Sequence, residues 1–206
     1  MKKKSKSLGN FEILQIITKA VIKGRIIICP TDTVYGLICS ALDKKAVNNV
    51  FKIKKRPKNK YLPIFVKDIK QVKKIAEVDK SQEKFLKKIW PGKVTVILKR
   101  KKAKIYGVSK NTIALRIPKY EFLNEILKKT NIPLVGTSAN ISGNPPSTKI
   151  KEVLKQFEDK EILPDLIIDV GNLKKSKSST IIDSTKKKIK IIRQGDWGVG
   201  FEPASD

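Results

Sequence analysis

The sequence predicts an α/β protein built on a twisted, mixed β-sheet with helices packed against it. Segments with helical spacing of apolar residues alternate with strand-like segments through much of the chain, and strand-like segments cluster near its end. A purely parallel sheet needs a crossover between successive strands, so this late cluster favours a mixed sheet. The 206 residues suffice for one sizeable domain, and no linker-like segment or solenoid repeat divides them.

The first part of the chain alternates between helix and strand signals. Apolar residues recur at helical spacing from Phe11 to Val21, with Asn10 placed to cap the helix and Gly24 placed to follow it. The apolar run from Arg25 to Cys29 predicts a buried strand, which stops at Pro30 because proline has no N–H for a ladder. Helices are further predicted over 43–54, 69–77 and 82–90, the last capped by Ser81, and strands over 62–66 and 94–98.

The later part of the chain is richer in strands. The patterns predict a strand over 112–117, a helix over 120–129, a strand over 133–136, a helix over 149–156, and strands over 166–170, 180–182 and 188–193. We expect residues 1–9 to form a basic disordered tail, residues 10–200 a single domain, and residues 201–206 a C-terminal tail.

The chain is strongly basic, with a formal net charge of +27. Such a charge attracts any polyanion, so a protein that binds RNA or DNA is one of the functional hypotheses. Only five of the 46 basic residues are arginine, and the lysines are spread along the whole chain. This dispersion favours weak, non-specific attraction, which makes nucleic-acid binding the second hypothesis behind an enzyme.

The composition also excludes several kinds of site. The chain has no histidine, which rules out a histidine general base, a Ser-His-Asp triad and any histidine-ligated metal. Cys29 and Cys39 are the only thiols and form no CxxC motif, so they are expected to be buried structural residues in a reducing compartment. The N-terminus does not resemble a signal peptide and no apolar run reaches membrane-spanning length, so we expect a cytoplasmic protein.

Two of the predicted strands end in small and polar residues. The first is followed by Pro-Thr-Asp-Thr-Val-Tyr-Gly-Leu (30–37), and the second by Thr-Ser-Ala-Asn (137–140). Ligands in open α/β sheets bind where strands leave the sheet, and hydroxyl and amide groups can orient a small polar substrate. On its own, the first segment is better explained as an ordinary strand-to-helix turn, but two such segments in one chain favour a binding site.

Arginine and lysine residues occur at further places where an anion could bind. Lys54 to Lys60 conclude a predicted helix, where they form either a basic helix end or a phosphate clamp with Arg56 as a planar fork. Arg116 lies inside an apolar strand, where a charge must be paired or bind a ligand, and Arg193 closes a similar strand. The chain has neither a P-loop nor a GxGxxG motif, so any nucleotide would be held by side-chain cations and hydroxyls.

Six motifs occur in order along the chain. They are Pro-Thr-Asp-Thr-Val-Tyr-Gly-Leu (30–37), Lys54-x-Arg56-Pro57, Ala-Leu-Arg-Ile-Pro (114–118), Thr-Ser-Ala-Asn-Ile-Ser-Gly (137–143), Ser-Thr-Ile-Ile-Asp (179–183) and Ile-Arg-Gln-Gly (192–195). Together they closely resemble the YrdC/TsaC family of threonylcarbamoyl-AMP synthases, in its short single-domain form. The resemblance covers nearly everything from residue 10 to residue 195, and the chain departs from the common pattern at Tyr61-Leu62 and at Phe65.

The resemblance implies a YrdC-like fold with a concave, basic cavity. It also implies a nucleotidyltransferase that converts L-threonine, bicarbonate or CO2, and ATP into L-threonylcarbamoyl-AMP and pyrophosphate, with Mg2+ on the phosphates and no organic cofactor. Other proteins would then transfer the threonylcarbamoyl group to adenosine 37 of tRNAs that read codons beginning with A. The alternative is a YrdC-fold protein with weak binding of double-stranded RNA or tRNA, or a related branch without synthase activity.

The resemblance further implies roles for individual residues, carried over by position. Lys54 and Arg56 would be catalytic. Thr33, Arg116 and Ser179 would contact threonine, with Arg116 pairing with its carboxylate. The ATP site would be lined by Lys54, Arg56, Lys60, Thr112, Ser138, Asn140 and Arg193. The resemblance identifies no protein side chain as a metal ligand.

Overall fold

The computed structural model describes residues 9–158, 160–186 and 188–197, and these residues fold around one mixed sheet. Its strands in this part of the chain are β1 (Ile27–Cys29), β2 (Gly36–Ser40), β3 (Ile64–Phe65), β4 (Val94–Lys99), β5 (Thr112–Arg116), β6 (Leu134–Ser138), β7 (Leu166–Ile167), β8 (Thr180–Asp183) and β9 (Lys190–Arg193). They lie in the order β7-β1-β2-β6-β3-β5-β4-β8-β9. Pairs β1/β7, β3/β5 and β4/β8 are parallel and the others antiparallel, which confirms the predicted mixed sheet.

Helices pack on this sheet as the periodic patterns predicted. Those described are α1 (Asn10–Ile22), α2 (Lys44–Ile53), α3 (Ile69–Ile75), α4 (Lys80–Ile89), α5 (Glu121–Thr130) and α6 (Ile150–Lys155). The N-cap of α4 is Asp79, not Ser81 as predicted, because the Asp79 carboxylate accepts the Gln82 N–H at 2.7 Å and Gln82 bonds back to it. The N-cap of α1 is Gly9, so Asn10 is inside the helix instead of capping it.

Alternate residues of the central strands enter two separate apolar clusters. Ile28, Leu37 and Val135 belong to the larger cluster, whereas Ile38 and Leu134 belong to the smaller one, which includes residues of α1 and α5. Successive strand residues point to opposite faces of a sheet, so the central strands are covered on both faces. The helices α1 and α5 therefore define one face, and the larger cluster lies on the other.

The segment after Pro30 differs from the sequence-based expectation. Instead of leading into a helix, residues 31–35 make a turn and the chain returns as β2, antiparallel to β1, with Cys29 opposite Gly36. The predicted strand-to-helix turn is therefore wrong. On its other side, Gly36 lies opposite Ser138 in β6. This register brings the two polar segments identified from the sequence to the same place in the sheet.

Other predicted elements are present with shifted ends. Several strands are shorter than predicted, including β7, and α3 ends at Ile75 because Ala76 is extended and bridges to Arg100. The expected tails, 1–9 and 201–206, lie outside the described residues apart from Gly9, and the domain limits of 10–200 stay a prediction. Across the described ranges, the helices are too short or too polar for any of them to span a membrane.

Candidate active site

A cavity of about 320 Å³ opens on the sheet face that also carries α1 and α5. In strand β5, successive side chains point to opposite faces of the sheet, and one of these faces lines the cavity. Thr112, Ala114 and Arg116 line the cavity, whereas Ile113 and Leu115 enter the larger apolar cluster on the opposite face. Small or polar residues at every second position therefore leave space for a ligand while the strand keeps its apolar support.

The structure brings the ten predicted site residues into two connected pockets. The central cavity is lined by Thr33, Arg56, Thr112, Arg116, Ser138, Ser179 and Arg193. A neighbouring pocket of about 370 Å³ is lined by Lys54, Lys60 and Asn140, and it shares Arg56, Ser138, Ser178 and Arg193 with the central cavity. The individual roles of these residues stay predictions, but their assembly in one region is a property of the fold.

Arg116 is a buried arginine with a buried partner. Its Nη2 donates to Asp32 Oδ1 at 2.6 Å and its Nε donates to the Gly92 carbonyl at 2.9 Å. The remaining nitrogen, Nη1, lies 3.5 Å from the Thr33 hydroxyl. Burial lowers the pKa of Arg116, and the Asp32 carboxylate opposes this effect. One edge of the guanidinium therefore stays available for an anion beside Thr33.

Thr33 is held in place by its own turn. Its backbone N–H donates to Thr31 Oγ1 at 3.1 Å, and the two threonine hydroxyls lie 3.0 Å apart. Thr31 in turn donates its hydroxyl proton to the Val34 carbonyl at 2.7 Å. This leaves the Thr31 oxygen to accept from the Thr33 hydroxyl, so the short turn between β1 and β2 orients the Thr33 side chain at the cavity.

Lys54 lies at the end of α2 with its side chain 1% exposed. Its ammonium donates to the carbonyls of Ser138 and Asn140 at 2.5 and 2.7 Å, and to Asn140 Oδ1 at 3.1 Å. Ser138 Oγ donates to the same Asn140 oxygen at 2.5 Å. Burial, together with the nearby charge of Arg56, lowers the pKa of Lys54 to about 7. The ammonium thus ties α2 to the end of β6.

The direction of Arg56 follows from the way α2 ends. The Arg56 N–H bonds the Phe51 carbonyl and the Lys55 N–H bonds the Lys52 carbonyl, both at 2.9 Å, which is a Schellman motif. It places Lys55 at φ +47° and turns Arg56 back toward the sheet. Arg56 Nε donates to the Lys60 carbonyl at 2.7 Å and Nη2 to the Tyr61 carbonyl at 3.0 Å. The guanidinium therefore organises the 57–61 loop while lining both pockets.

Arg193 and Ser179 form the opposite wall. Arg193 donates to the Ser179 carbonyl from Nε at 3.2 Å and from Nη2 at 2.7 Å, and the Ser179 hydroxyl lies 2.9 Å from that of Thr95. The charge of Arg193 contributes to lowering the pKa values of both Arg56 and Arg116. Three guanidinium groups therefore face a shared space, where an anion would relieve their mutual repulsion.

The aromatic ring of Phe65 lies at the wall of the central cavity, next to Gly136 of β6 and Arg116 of β5. The guanidinium carbon of Arg116 lies 5.8 Å from the centre of the Phe65 ring. A Cβ at Gly136 would lie 2.3 Å from two atoms of that ring, so glycine is needed for the ring to lie there. Phe65 thus packs between β6 and the Arg116 guanidinium.

Sequence reasoning missed the roles of two residues. Asp32 lies within a recognised motif but was given no role. The buried charge of Arg116 was expected either to be paired or to bind a ligand, and Asp32 supplies the pairing. Thr95 was assigned only to a strand, and its contact with Ser179 is not visible from local spacing. Within the described ranges, no group of three Asp, Glu or Cys residues is arranged to hold a metal ion.

Comparison with known proteins identifies the family. The Sua5/YciO/YrdC family model, described as "Telomere recombination", matches residues 19–195. A relative from Methanocaldococcus jannaschii, provisionally named threonylcarbamoyl-AMP synthase, is 41% identical over 186 residues, which are 89% of this chain and 86% of the relative. The threonylcarbamoyl-AMP synthase of Pyrococcus abyssi is 31% identical over 88% of this chain, which spans 54% of that relative.

Solved structures agree with this assignment. P. abyssi Sua5 complexed with L-threonine superposes with a TM-score of 0.82 at 31% identity, covering 92% of this chain and 56% of that one. Escherichia coli YciO superposes with a TM-score of 0.79 at 26% identity, covering 92% and 91% of the two chains. The chain therefore spans little more than half of the P. abyssi protein and most of YciO. The family match over 19–195, together with these relatives, shows that the chain belongs to the Sua5/YciO/YrdC family.

Proposed function

We propose that this protein is a threonylcarbamoyl-AMP synthase, a nucleotidyltransferase that uses L-threonine, bicarbonate or CO2, and ATP. The observation that carries the proposal is the convergence of Arg56, Arg116 and Arg193 with several hydroxyl groups in one cavity. Threonine and ATP both carry anionic groups, a carboxylate and a triphosphate. The names of the M. jannaschii and P. abyssi relatives, and the L-threonine in the P. abyssi complex, support the same reaction.

The threonine end of the site is formed by Arg116, Thr33 and Ser179. Asp32 and the Gly92 carbonyl occupy Nη2 and Nε of Arg116, so the substrate carboxylate meets Nη1 beside the Thr33 hydroxyl. A charge-assisted hydrogen bond is stronger than a neutral one. Ser179, on the far wall, offers a hydroxyl to the polar groups of the amino acid.

The nucleotide end is formed by residues of both pockets. Arg56, Lys60 and Arg193 supply positive charge for the phosphates, and Thr112, Ser138 and Asn140 supply polar groups. The three bonds of Lys54 to Ser138 and Asn140 set the shape of this end. Mg2+ is usually held by substrate phosphates and water, with few protein ligands. Asn140 Oδ1 already accepts from Lys54 and Ser138, so a Mg2+ ion arriving with ATP would be held mainly by the phosphates and water.

The reaction needs no histidine. The neutral amine of threonine adds to CO2, forming a C–N bond and releasing a proton to water, which gives a carbamate. A carbamate oxygen then attacks the α-phosphorus of ATP, and the bond to the pyrophosphate leaving group breaks. The protein holds the two reactants in line and stabilises negative charge on the leaving group with Arg56 and Arg193. The acyl adenylate would then serve proteins that transfer the threonylcarbamoyl group to tRNA.

The proposal is tested by incubating the protein with ATP, labelled bicarbonate and L-threonine. We expect pyrophosphate and labelled threonylcarbamoyl-AMP, both dependent on threonine. Arg56→Ala and Ser138→Ala should abolish turnover while the circular dichroism spectrum stays that of the wild type. Absence of threonine-dependent pyrophosphate contradicts the proposal. Tight binding of structured RNA that survives physiological salt, without turnover, would favour an RNA-binding protein of the same fold.

A further inference from the structure

The loop between β6 and α6 carries part of the nucleotide end of the site. It begins at Asn140 and includes Gly143, at φ +99°, and the pair Pro145-Pro146. A proline has no N–H, so this pair removes two backbone donors that could have tied the loop down. Asn140 itself is held by Lys54 and Ser138, and the rest of the loop is held by contacts from other elements.

The inner side of the loop is attached to the site. Asn140 Nδ2 donates to the carbonyls of Ile141 and Asn144 at 3.0 and 2.7 Å. The Ser142 N–H donates to the Lys54 carbonyl at 2.7 Å, which joins the loop to the end of α2. Any shift of the backbone over 141–145 is therefore transmitted to the Asn140 amide, which also accepts from Ser138 and Lys54.

The 141–145 segment of the loop is also bonded by Gln156, the residue that follows α6, whereas Ser147 further along the loop bonds Glu152 of α6. Gln156 Oε1 accepts the Ile141 N–H at 3.0 Å, and Gln156 Nε2 donates to the Pro145 carbonyl at 3.1 Å. A side-chain amide is suited to this task because it presents a donor and an acceptor on one rigid group. Gln156 lines neither of the two site pockets.

We propose that Gln156 is a positioning residue for ATP, acting through the loop that carries Asn140. By bridging the two ends of the 141–145 segment, it holds the carbonyls that in turn orient the Asn140 amide. Thr33 lies in the turn after β1 and Arg116 at the end of β5, where Thr31, Asp32 and Gly92 hold them, and the bonds of these residues do not involve the 141–145 segment. The turn with Thr33 contacts the loop beyond that segment, where the Tyr35 N–H donates to the Ser147 carbonyl at 3.1 Å, so we expect the threonine end to be insensitive to Gln156. The inference rests on the proposed function, since it assigns Asn140 to the nucleotide end.

The test compares Gln156→Met with the wild type in calorimetric binding of a non-hydrolysable ATP analogue and, separately, of L-threonine. Methionine keeps the length of the side chain and removes both hydrogen bonds. Loss of two bonds to backbone groups should weaken ATP-analogue binding by about tenfold, with threonine affinity unchanged within about twofold. Gln15→Met, the same change on an exposed position of α1, should alter neither. Gln156→Glu, which keeps only the acceptor for Ile141, serves if Gln156→Met does not fold, with Gln15→Glu as its charge control.

Two results overturn the inference. If both affinities fall together, Gln156 has only a general structural role, and if neither falls, the loop does not need it. A wild-type protein that binds no ATP analogue and makes no threonylcarbamoyl-AMP overturns the proposed function as well. If the wild-type protein makes threonylcarbamoyl-AMP but Gln156→Met binds the ATP analogue as tightly as the wild type does, only the positioning role is overturned.

Discussion

Asp32 and Arg116 form an ion pair that is almost closed to solvent, with Oδ1 and Nη2 2.6 Å apart and side chains only 7% and 4% exposed. The second carboxylate oxygen of Asp32 accepts the Lys119 N–H at 2.9 Å. The pair therefore joins the turn between β1 and β2 to the segment after β5. It also limits how an anion can approach Arg116, because only Nη1 is free of a close protein partner.

Replacing Asp32 should affect threonine more than ATP. In Asp32→Asn, the buried guanidinium loses its counter-charge, and breaking a buried pair from one side costs about 3 kcal/mol of unfolding free energy. Arg116 is then free to reorient, so we expect about tenfold weaker L-threonine binding and little change in ATP-analogue binding. Urea denaturation and calorimetry measure the two effects.

The double variant Asp32→Leu/Arg116→Met is the control for this prediction. Removing both charges avoids an unpaired buried ion, so the double variant should be more stable than Asp32→Asn although it binds no threonine. If Asp32→Asn is as stable as the wild type, the ion pair contributes nothing to the fold and its orienting role is contradicted.

The Asp32–Arg116 ion pair could be predicted only in part from the sequence. The apolar neighbours of Arg116 predicted that its charge must either be paired or bind a ligand, and the structure shows a pairing with Asp32. The partner itself was not predictable, because Asp32 lies in a segment whose path was wrong. Residues 34–41 are mostly apolar without alternation, so periodicity could not identify β2, and only the pairing with β6 determines that strand.

Sequence patterns predicted those features that depend on neighbouring residues, such as helices and their caps. Helix α2 was predicted from its apolar spacing and from Asp43, whose carboxylate accepts the Ala46 N–H at 3.0 Å. The grouping of the ten site residues came from the family resemblance, not from spacing. The bonds that orient them, such as those of Lys54 to Ser138 and Asn140, join residues more than 80 positions apart and depend on the sheet order.

The protonation of Lys54 should couple ATP binding to pH. Its pKa of about 7 lies below its ordinary value of 10.5, so the folded protein loses this proton in a range where the unfolded chain retains it. Above pH 7 the neutral amine has two N–H groups for three acceptors, and the Ser138–Asn140 end should loosen. We expect ATP-analogue affinity to fall between about pH 6 and about pH 9, measured by calorimetry.

The free energy of unfolding should rise with pH, whereas the ATP-analogue affinity falls. Between pH 7 and 10.5 the unfolded state binds more protons at Lys54, so the unfolding free energy contributed by this residue rises with pH. Lys54→Met removes the titration and serves as the baseline for both measurements. If the difference between wild type and Lys54→Met does not depend on pH, Lys54 keeps an ordinary pKa in the fold.

Gly136 should not tolerate a side chain. In Gly136→Ala, the new Cβ would lie 2.3 Å from Phe65 ring atoms, so the ring must move away from β6 and toward Arg116. Such overpacking costs about 1–3 kcal/mol, and the displaced ring should also weaken threonine binding. Thermal unfolding and calorimetry measure both effects. Combining it with Phe65→Leu should restore part of the lost stability, and a double variant that is no more stable than Gly136→Ala would contradict the steric explanation.

Lys55 occupies a backbone conformation that favours glycine. It lies at φ +47° in the Schellman motif that ends α2, where an L-residue with a Cβ is disfavoured by about 1–2 kcal/mol. Lys55→Gly should therefore raise the unfolding free energy in urea by about 1 kcal/mol, after the greater chain entropy of glycine is taken into account. Lys52→Gly, in the last turn of the same helix, removes an identical charge at a helical φ and should instead cost about 1 kcal/mol. Opposite signs for these two variants would identify backbone conformation as the cause, whereas equal effects would show that only the lost lysine matters.

Because the Arg56 N–H still bonds the Phe51 carbonyl in Lys55→Gly, ATP-analogue affinity should stay at the wild-type value.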